Sequence, residues 1–212
     1  MPDNTKKESN IKDLKLVKQV FEQFKISFFV AYGTCLGFYR DKNFLPDDDD
    51  IDLVVVEPID LKTRKMIGWM LYDLGFQPQE IMFNVFGRME PAVIGYNGDE
   101  ETGIIVCQRN VKLTIFFFKP DKCKDHGEVM VCIPKLGAVK LIESPAKFYK
   151  QAEEIKIFGE KFYLPSPVGK YLEFTYEEWE NPLKRDHGKT YLEMHAKESI
   201  KDLINEATII KK

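Results

Sequence analysis

The sequence predicts an α+β fold, and three observations predict it. Helical and strand-like periodicities alternate over the first third of the chain. Short β-branched runs broken by Gly, Asn and Asp follow. A helix-prone tail closes the sequence. In order, Ile11, Leu14, Val17, Phe21 and Phe24 recur at helical spacing and predict a helix over 9–25. "ISFFVAY" (26–32) is a short apolar run that reads as a buried strand. "GT" breaks it, and "CLGFYR" begins a short helix. "IDLVVV" (51–56) is a second strand ended by Pro58, and 61–75 is an amphipathic helix closed by Gly75. "IMFNVFGRM", "AVIGY", "TGIIVCQ" and "VKLTIFFFK" read as a meander that extends the sheet, with "GEVMVCIP" and "EIKIFGEKFYLP" adding strands. "PVGKYLEFTYEEWENP" is a helix and a turn, and 189–206 a closing helix. Residues 1–10 are expected to be a disordered lead, and 11–212 a single domain.

The bulk properties exclude several classes. With 212 residues, 44% hydrophobic and 31% charged, the chain has the balance of an ordinary globular protein. Its net charge of -3 provides no basic field for nucleic acid. No apolar run reaches the about eighteen residues of a membrane span, and the polar N-terminus does not read as a secretory signal. Cys35, Cys107, Cys123 and Cys132 form no C-x-x-C pair, so buried free thiols and a reducing cytoplasm are expected. His126, His187 and His195 have no partner at metal-ligand spacing.

"FLPDDDDIDLVVV" (44–56) carries the chemistry. A run of Asp commonly marks a solvated turn. An EF-hand is excluded, because the Gly needed at its sixth position is missing. Asp50 and Asp52, however, flank one apolar residue at a strand start, so their carboxylates share a face roughly 6–7 Å apart. At an effective dielectric near 20 that repulsion is about 2–3 kcal/mol. A divalent cation reverses its sign, and Mg²⁺ or Mn²⁺ would complete its shell with water and substrate phosphate. Upstream, Gly33 and Thr34 precede a probable helix start, where exposed amides favour anions, and Arg40 offers a fork matched to phosphate oxygens.

"YGTCLGFYRDKNFLPDDDDIDL" closely resembles the signature of the LicD/fukutin family, within the nucleotidyltransferase superfamily. Gly33 and Thr34 match its Gly-Ser/Thr turn, and Leu36, Gly37, Arg40, Phe44 and Pro46 match in turn. Asp48, Asp49 and Asp50 match its triple Asp, and Asp50 and Asp52 fall on its two metal-binding carboxylates. Tyr171, Leu172, Trp179 and Pro182 are similar to its later segment. The resemblance implies a nucleotidyltransferase-like mixed sheet flanked by helices. It implies transfer of choline phosphate or a polyol phosphate from a CDP-linked donor to a glycan-type acceptor. In that reading Gly33, Thr34 and Arg40 bind the donor, Asp50 and Asp52 bind metal, and Asp48 and Asp49 orient them. Transfer of NMP from an NTP and a catalytically silent nucleotide-binding module are the alternatives. A lipid-linked acceptor would require peripheral membrane contact.

Two positions depart from the family. Asp47 stands where Trp is usual, and Thr114, in "VKLTIFFF", stands where a third carboxylate is usual. Thr cannot act as a general base near neutral pH. Glu90, Glu100, Asp121 and His126 are the alternative bases by composition. Lys184 and Arg185 are phosphate contacts or a surface pair, as are Arg88 and Arg109. Tyr176 and Trp179 stack on a ligand or pack in the core.

Overall fold

Helix α1 (Asn4–Phe24) buries Leu14, Val17, Val20 and Phe21, the apolar stripe that its sequence spacing specifies. It begins at Asn4, so helix already occupies much of the stretch expected to be a disordered lead. The computed structural model describes residues 4–46, 48, 50–78, 96–98, 102–123, 127–132, 142–176 and 178–181. The closing helix expected over 189–206 lies outside them.

Strand β1 is only Phe29–Val30, and helix α2 (Tyr32–Leu36) starts two residues later, running into one π turn over Gly37–Asp41. Strand β2 (Asp50–Val55) and helix α3 (Leu61–Asp73) follow. The Asp60 side chain caps α3 by accepting from the Thr63 amide at 3.0 Å. Gly75 ends the helix at φ +90, the left-handed position that favours glycine. Then come β3 (Gln77–Pro78), β4 (Tyr96–Gly98), β5 (Gly103–Gln108) and β6 (Lys112–Phe117). These strands form a six-stranded mixed sheet in the order β1-β2-β6-β5-β3, with β4 also on β5. Among the described pairs, β2 and β6 alone run parallel.

The later strands do not extend this sheet as expected. Strands β7 (Lys119–Cys123), β8 (Gly127–Cys132) and β9 (Ile142–Pro145) make a separate antiparallel sheet. Strands β10 (Ala152–Ile157) and β11 (Glu160–Pro165) make a hairpin of their own. The reason is that β6 is central. Its two ladders are taken by β2 and β5, so the chain leaving Phe117 has no free edge beside it. Helix α4 (Val168–Thr175) then packs against α2. Cys35, Cys107 and Cys132 are buried free thiols, and burial pushes Cys107 up to about 12.

The aromatic part of the core sets the acidic segment in place. Phe38, in the π turn, meets the rings of Phe44, Phe158 and Phe162 at 5.2, 5.6 and 5.9 Å. The 43–45 backbone crosses directly over Gly37, where an added Cβ would lie 2.6 Å from the Asn43 carbonyl oxygen and 3.0 Å from the Leu45 amide. Gly37→Ala is therefore expected to cost about 1–3 kcal/mol through overpacking against backbone. A denaturant midpoint equal to that of the wild type would show that the 43–45 segment gives way freely.

Candidate active site

Strand β2 presents its carboxylates as alternation requires. Asp50 and Asp52 are partly exposed on one face, while Ile51 and Leu53 are buried on the other. The backbone at residue 52 is fixed from both sides. Its amide donates to Thr34 Oγ1 at 3.0 Å, and its carbonyl accepts from the Ala31 amide at 3.0 Å. The helix start at α2 is thereby stitched to the acidic end of β2. Asp48 closes the group. Its Oδ2 sits where a Cβ on residue 33 would stand, so Gly33 is the residue that lets this carboxylate approach the α2 backbone.

The parallel pairing defines the other half. Asp50 is level with Lys112 and Asp52 with Thr114. The Lys112 ammonium lies 3.4 Å from Asp50 Oδ2. Thr114 is 7% exposed and faces the site between Asp52 on one side and Val106 of β5 on the other. Burial, and then the like charges of Asp50 and Asp48, push the Asp52 carboxyl well above the ordinary aspartate range, with Lys112 pulling the other way. Burial followed by the charges of Asp52 and Asp48 also raises Tyr176, which lies within electrostatic reach of these carboxylates.

Tyr32 is a site residue that the sequence did not reveal. It takes φ +47, a backbone conformation rare for a bulky residue, at the turn between β1 and α2. Its amide donates to the Tyr171 hydroxyl at 3.1 Å. Its own hydroxyl is buried and finds no hydrogen-bond partner among the described residues. Burial, then Tyr149 and Asp52, raise its pKa.

Two residues expected to contact the donor also have partners within the protein. The Thr34 hydroxyl oxygen accepts from the Asp52 amide, and the residue is 1% exposed, so Thr34 positions β2. Arg40 uses its fork on protein. Its Nε and one terminal nitrogen donate to both carboxylate oxygens of Asp41 at 2.7 and 2.9 Å, and the other donates to the Trp179 carbonyl at 2.9 Å. A guanidinium suited to phosphate suits an adjacent carboxylate equally. The consequence is that both ends of the sequence signature meet, since Tyr171 holds Tyr32 and Trp179 holds Arg40 while its ring lies 5.7 Å from Tyr39.

Arg109 is likewise occupied, donating to Asp13 at 2.6 Å. Asp121 is exposed on β7 in the second sheet and accepts from the Lys122 amide. Asp47, Asp49, Arg88, Glu90, Glu100, His126, Pro182, Lys184, Arg185, His187 and His195 lie outside the described residues.

The donor set suits a hard cation, with hard oxygen ligands on one face and a charge excess that a cation would relieve. Among the described residues no three His, Cys, Asp or Glu side chains converge into a ready-made cage. A cation held there would have two carboxylates from the protein and the rest of its shell from water and ligand. No described helix is long and apolar enough to cross a membrane.

Comparison with known proteins agrees with this region. Residues 25–85 match the family model described as LicD/FKTN/FKRP, nucleotidyltransferase domain. The chain is 28% identical over 106 residues to the ribitol-5-phosphate transferase FKTN of Macaca fascicularis and 27% identical to that of Homo sapiens. Each alignment covers 50% of this chain and 20% of the relative, so the chain spans about a fifth of the length of the relatives it matches. Among solved structures, it is similar to the lincomycin-bound lincosamide adenylyltransferase LnuA, at TM-score 0.47 and 14% identity over 88% of this chain and 95% of that one. It is also similar to ANT(2")-Ia in complex with adenylyl-2"-tobramycin, at TM-score 0.44 and 13% identity over 91% and 90%.

Proposed function

We propose that this chain, whose residues 25–85 match the LicD/FKTN/FKRP nucleotidyltransferase-domain model, carries out metal-dependent transfer of a phosphorylated group from a CDP-linked donor to a hydroxyl of a glycan or small-molecule acceptor. The observation that carries the reading is the pair Asp50 and Asp52 on one face of β2, with Asp48 over Gly33. The similarity to ribitol-5-phosphate transferases supports a polyol phosphate as the transferred group. The buried free thiols of Cys35, Cys107 and Cys132 suit a reducing, cytoplasmic setting.

In this reading Asp50 and Asp52 would hold Mg²⁺ or Mn²⁺, which when bound neutralises diphosphate charge. Asp48 would orient the pair. The Gly33 backbone lines the donor side, and Thr34 holds Asp52 in register. The bond from the acceptor oxygen to phosphorus forms as the bond from phosphorus to the CMP oxygen breaks, and CMP leaves. The acceptor proton passes to a substrate phosphate oxygen or to a base other than Thr114, whose hydroxyl cannot take it near neutral pH. Positioning and charge neutralisation supply most of the rate.

Thr114 beside Asp52 favours a second reading, a nucleotide-binding module without turnover. Calorimetric titration of CDP-choline, CDP-ribitol, CTP and ATP, each with and without Mg²⁺, separates the readings. Mg²⁺-dependent binding of a CDP-linked donor with CMP release on turnover is the expected result. Preference for a triphosphate with pyrophosphate release would make it a nucleotidyltransferase. Binding without turnover would select the silent module, and no metal-dependent binding would sink both.

A further inference from the structure

The charge layout of the two parallel strands carries the proposed reading one step further, and rests on it. On the site face, β2 contributes Asp50 and Asp52 while β6 contributes Lys112 and Thr114, paired level by level. Among the described residues, the anionic groups of the site come from the β2 side. The single formal charge offered by β6 at this level is positive, and it stands 3.4 Å from Asp50 Oδ2. A second divalent cation between the strands would need an anionic ligand from β6. Thr114 offers a neutral hydroxyl, and Lys112 repels. The Lys112 side chain is 47% exposed and that of Asp50 25% exposed, so both are open to a ligand arriving from solvent. An ammonium is a compact point charge with three donors, and it binds phosphate oxygens well.

We infer that this site takes a single divalent cation and that Lys112 occupies the place of a second one, holding a phosphate of the donor. In the ligand-free chain Lys112 rests on Asp50. When Asp50 turns to the metal, the ammonium is released to the substrate phosphate. Lys112 is thus a donor-contacting residue for this chain, and its neighbour Thr114 is what keeps the metal count at one.

Mn²⁺ binding followed by electron paramagnetic resonance, with and without CDP, tests this apart from activity. One Mn²⁺ per chain is expected with CDP present. Lys112→Ala is expected to weaken CDP in the presence of Mn²⁺ by about tenfold, the size of a lost charged hydrogen bond. The same substitution should tighten Mn²⁺ alone by about two- to fivefold, because it removes a part-exposed repelling charge. Lys112→Arg should restore CDP affinity. A merely structural lysine would not move the two affinities in opposite directions. Lys112→Ala combined with Thr114→Asp is expected to raise the count to two. Two Mn²⁺ on the wild type, or a Lys112→Ala variant that loses Mn²⁺ and CDP alike, would overturn the inference. No bound Mn²⁺ at all would instead overturn the metal-dependent reading beneath it.

Discussion

Asp52→Asn is expected to abolish Mg²⁺-dependent binding of a CDP-linked donor while leaving the metal-free chain folded and more stable than the wild type. The two effects have separate causes. Position 52 is held by its backbone, through the Thr34 hydroxyl and the Ala31 amide, and neither bond involves the carboxylate. Asn keeps the size and both backbone bonds, so β2 stays in register with β6. What changes is the charge. Loss of a ligating carboxylate should cost more than about a hundredfold in metal-dependent affinity, since outer-shell partners alone cost roughly 10–100-fold. Relief of the contact with Asp50 and Asp48 should stabilise the empty site by about 1–2 kcal/mol.

The pH dependence has a fixed sign. Burial and like charge raise the Asp52 pKa in the folded chain above its ordinary 3.8. The native state therefore holds a proton that the unfolded state has already released. This contribution to stability is complete below 3.8 and is lost as pH rises through the raised folded value. The metal-free wild type should melt at a lower temperature at pH 7 than at pH 5, Mg²⁺ with CDP should remove the difference, and Asp52→Asn should flatten the slope. Calorimetric melting of both proteins at the two pH values checks all three. A variant that binds donor and Mg²⁺ as the wild type does would remove Asp52 from the clamp.

The part of the site legible in the sequence was the part encoded by alternation. Asp50 and Asp52 two residues apart at a strand start can only share a face, and the β2 face is where they stand. Thr114 was singled out through the family resemblance, which places a third carboxylate at the start of a later apolar strand, and the β2–β6 pairing sets it level with Asp52. The same logic applied two residues earlier would have found Lys112, since i and i+2 on β6 face the same way. The Arg40 contacts within the chain were not legible, because nothing in the sequence says whether a guanidinium meets the carboxylate next door. Tyr32 was hidden for a different reason. Its left-handed backbone is imposed by the turn from β1 into α2 and is opposed by its own side chain, so no local propensity signals it. The separate β7-β8-β9 sheet was invisible because strand-forming residues declare a strand without naming the sheet it joins.

Asp13→Ala is expected to be the most destabilising single change in the scaffold, at about 3–5 kcal/mol, the usual cost of breaking a buried charged network from one side. Asp13 sits in α1 with no exposed surface. One carboxylate oxygen accepts from Arg109 at 2.6 Å and from Asn110 Nδ2 at 2.9 Å. The other accepts from the Asn110 amide at 2.8 Å and the Val111 amide at 3.4 Å. Alanine would leave the buried Val111 amide without its acceptor, the Asn110 donors without theirs, and Arg109, itself 27% exposed, without its anion. The reverse substitution, Arg109→Ala, should cost less, because water can reach the vacated side while the backbone amides still hold Asp13. Against a total stability of about 5–15 kcal/mol the Asp13 loss is large. The network also ends at Val111, one residue before β6 begins at Lys112, so the turn that α1 clamps is the one that delivers the lysine to Asp50. Urea unfolding should show a lower midpoint at unchanged slope for Asp13→Ala, with CDP affinity at saturating Mg²⁺ falling as well. A variant that unfolds early yet binds CDP as the wild type does would show that β6 finds its register with β2 without help from α1.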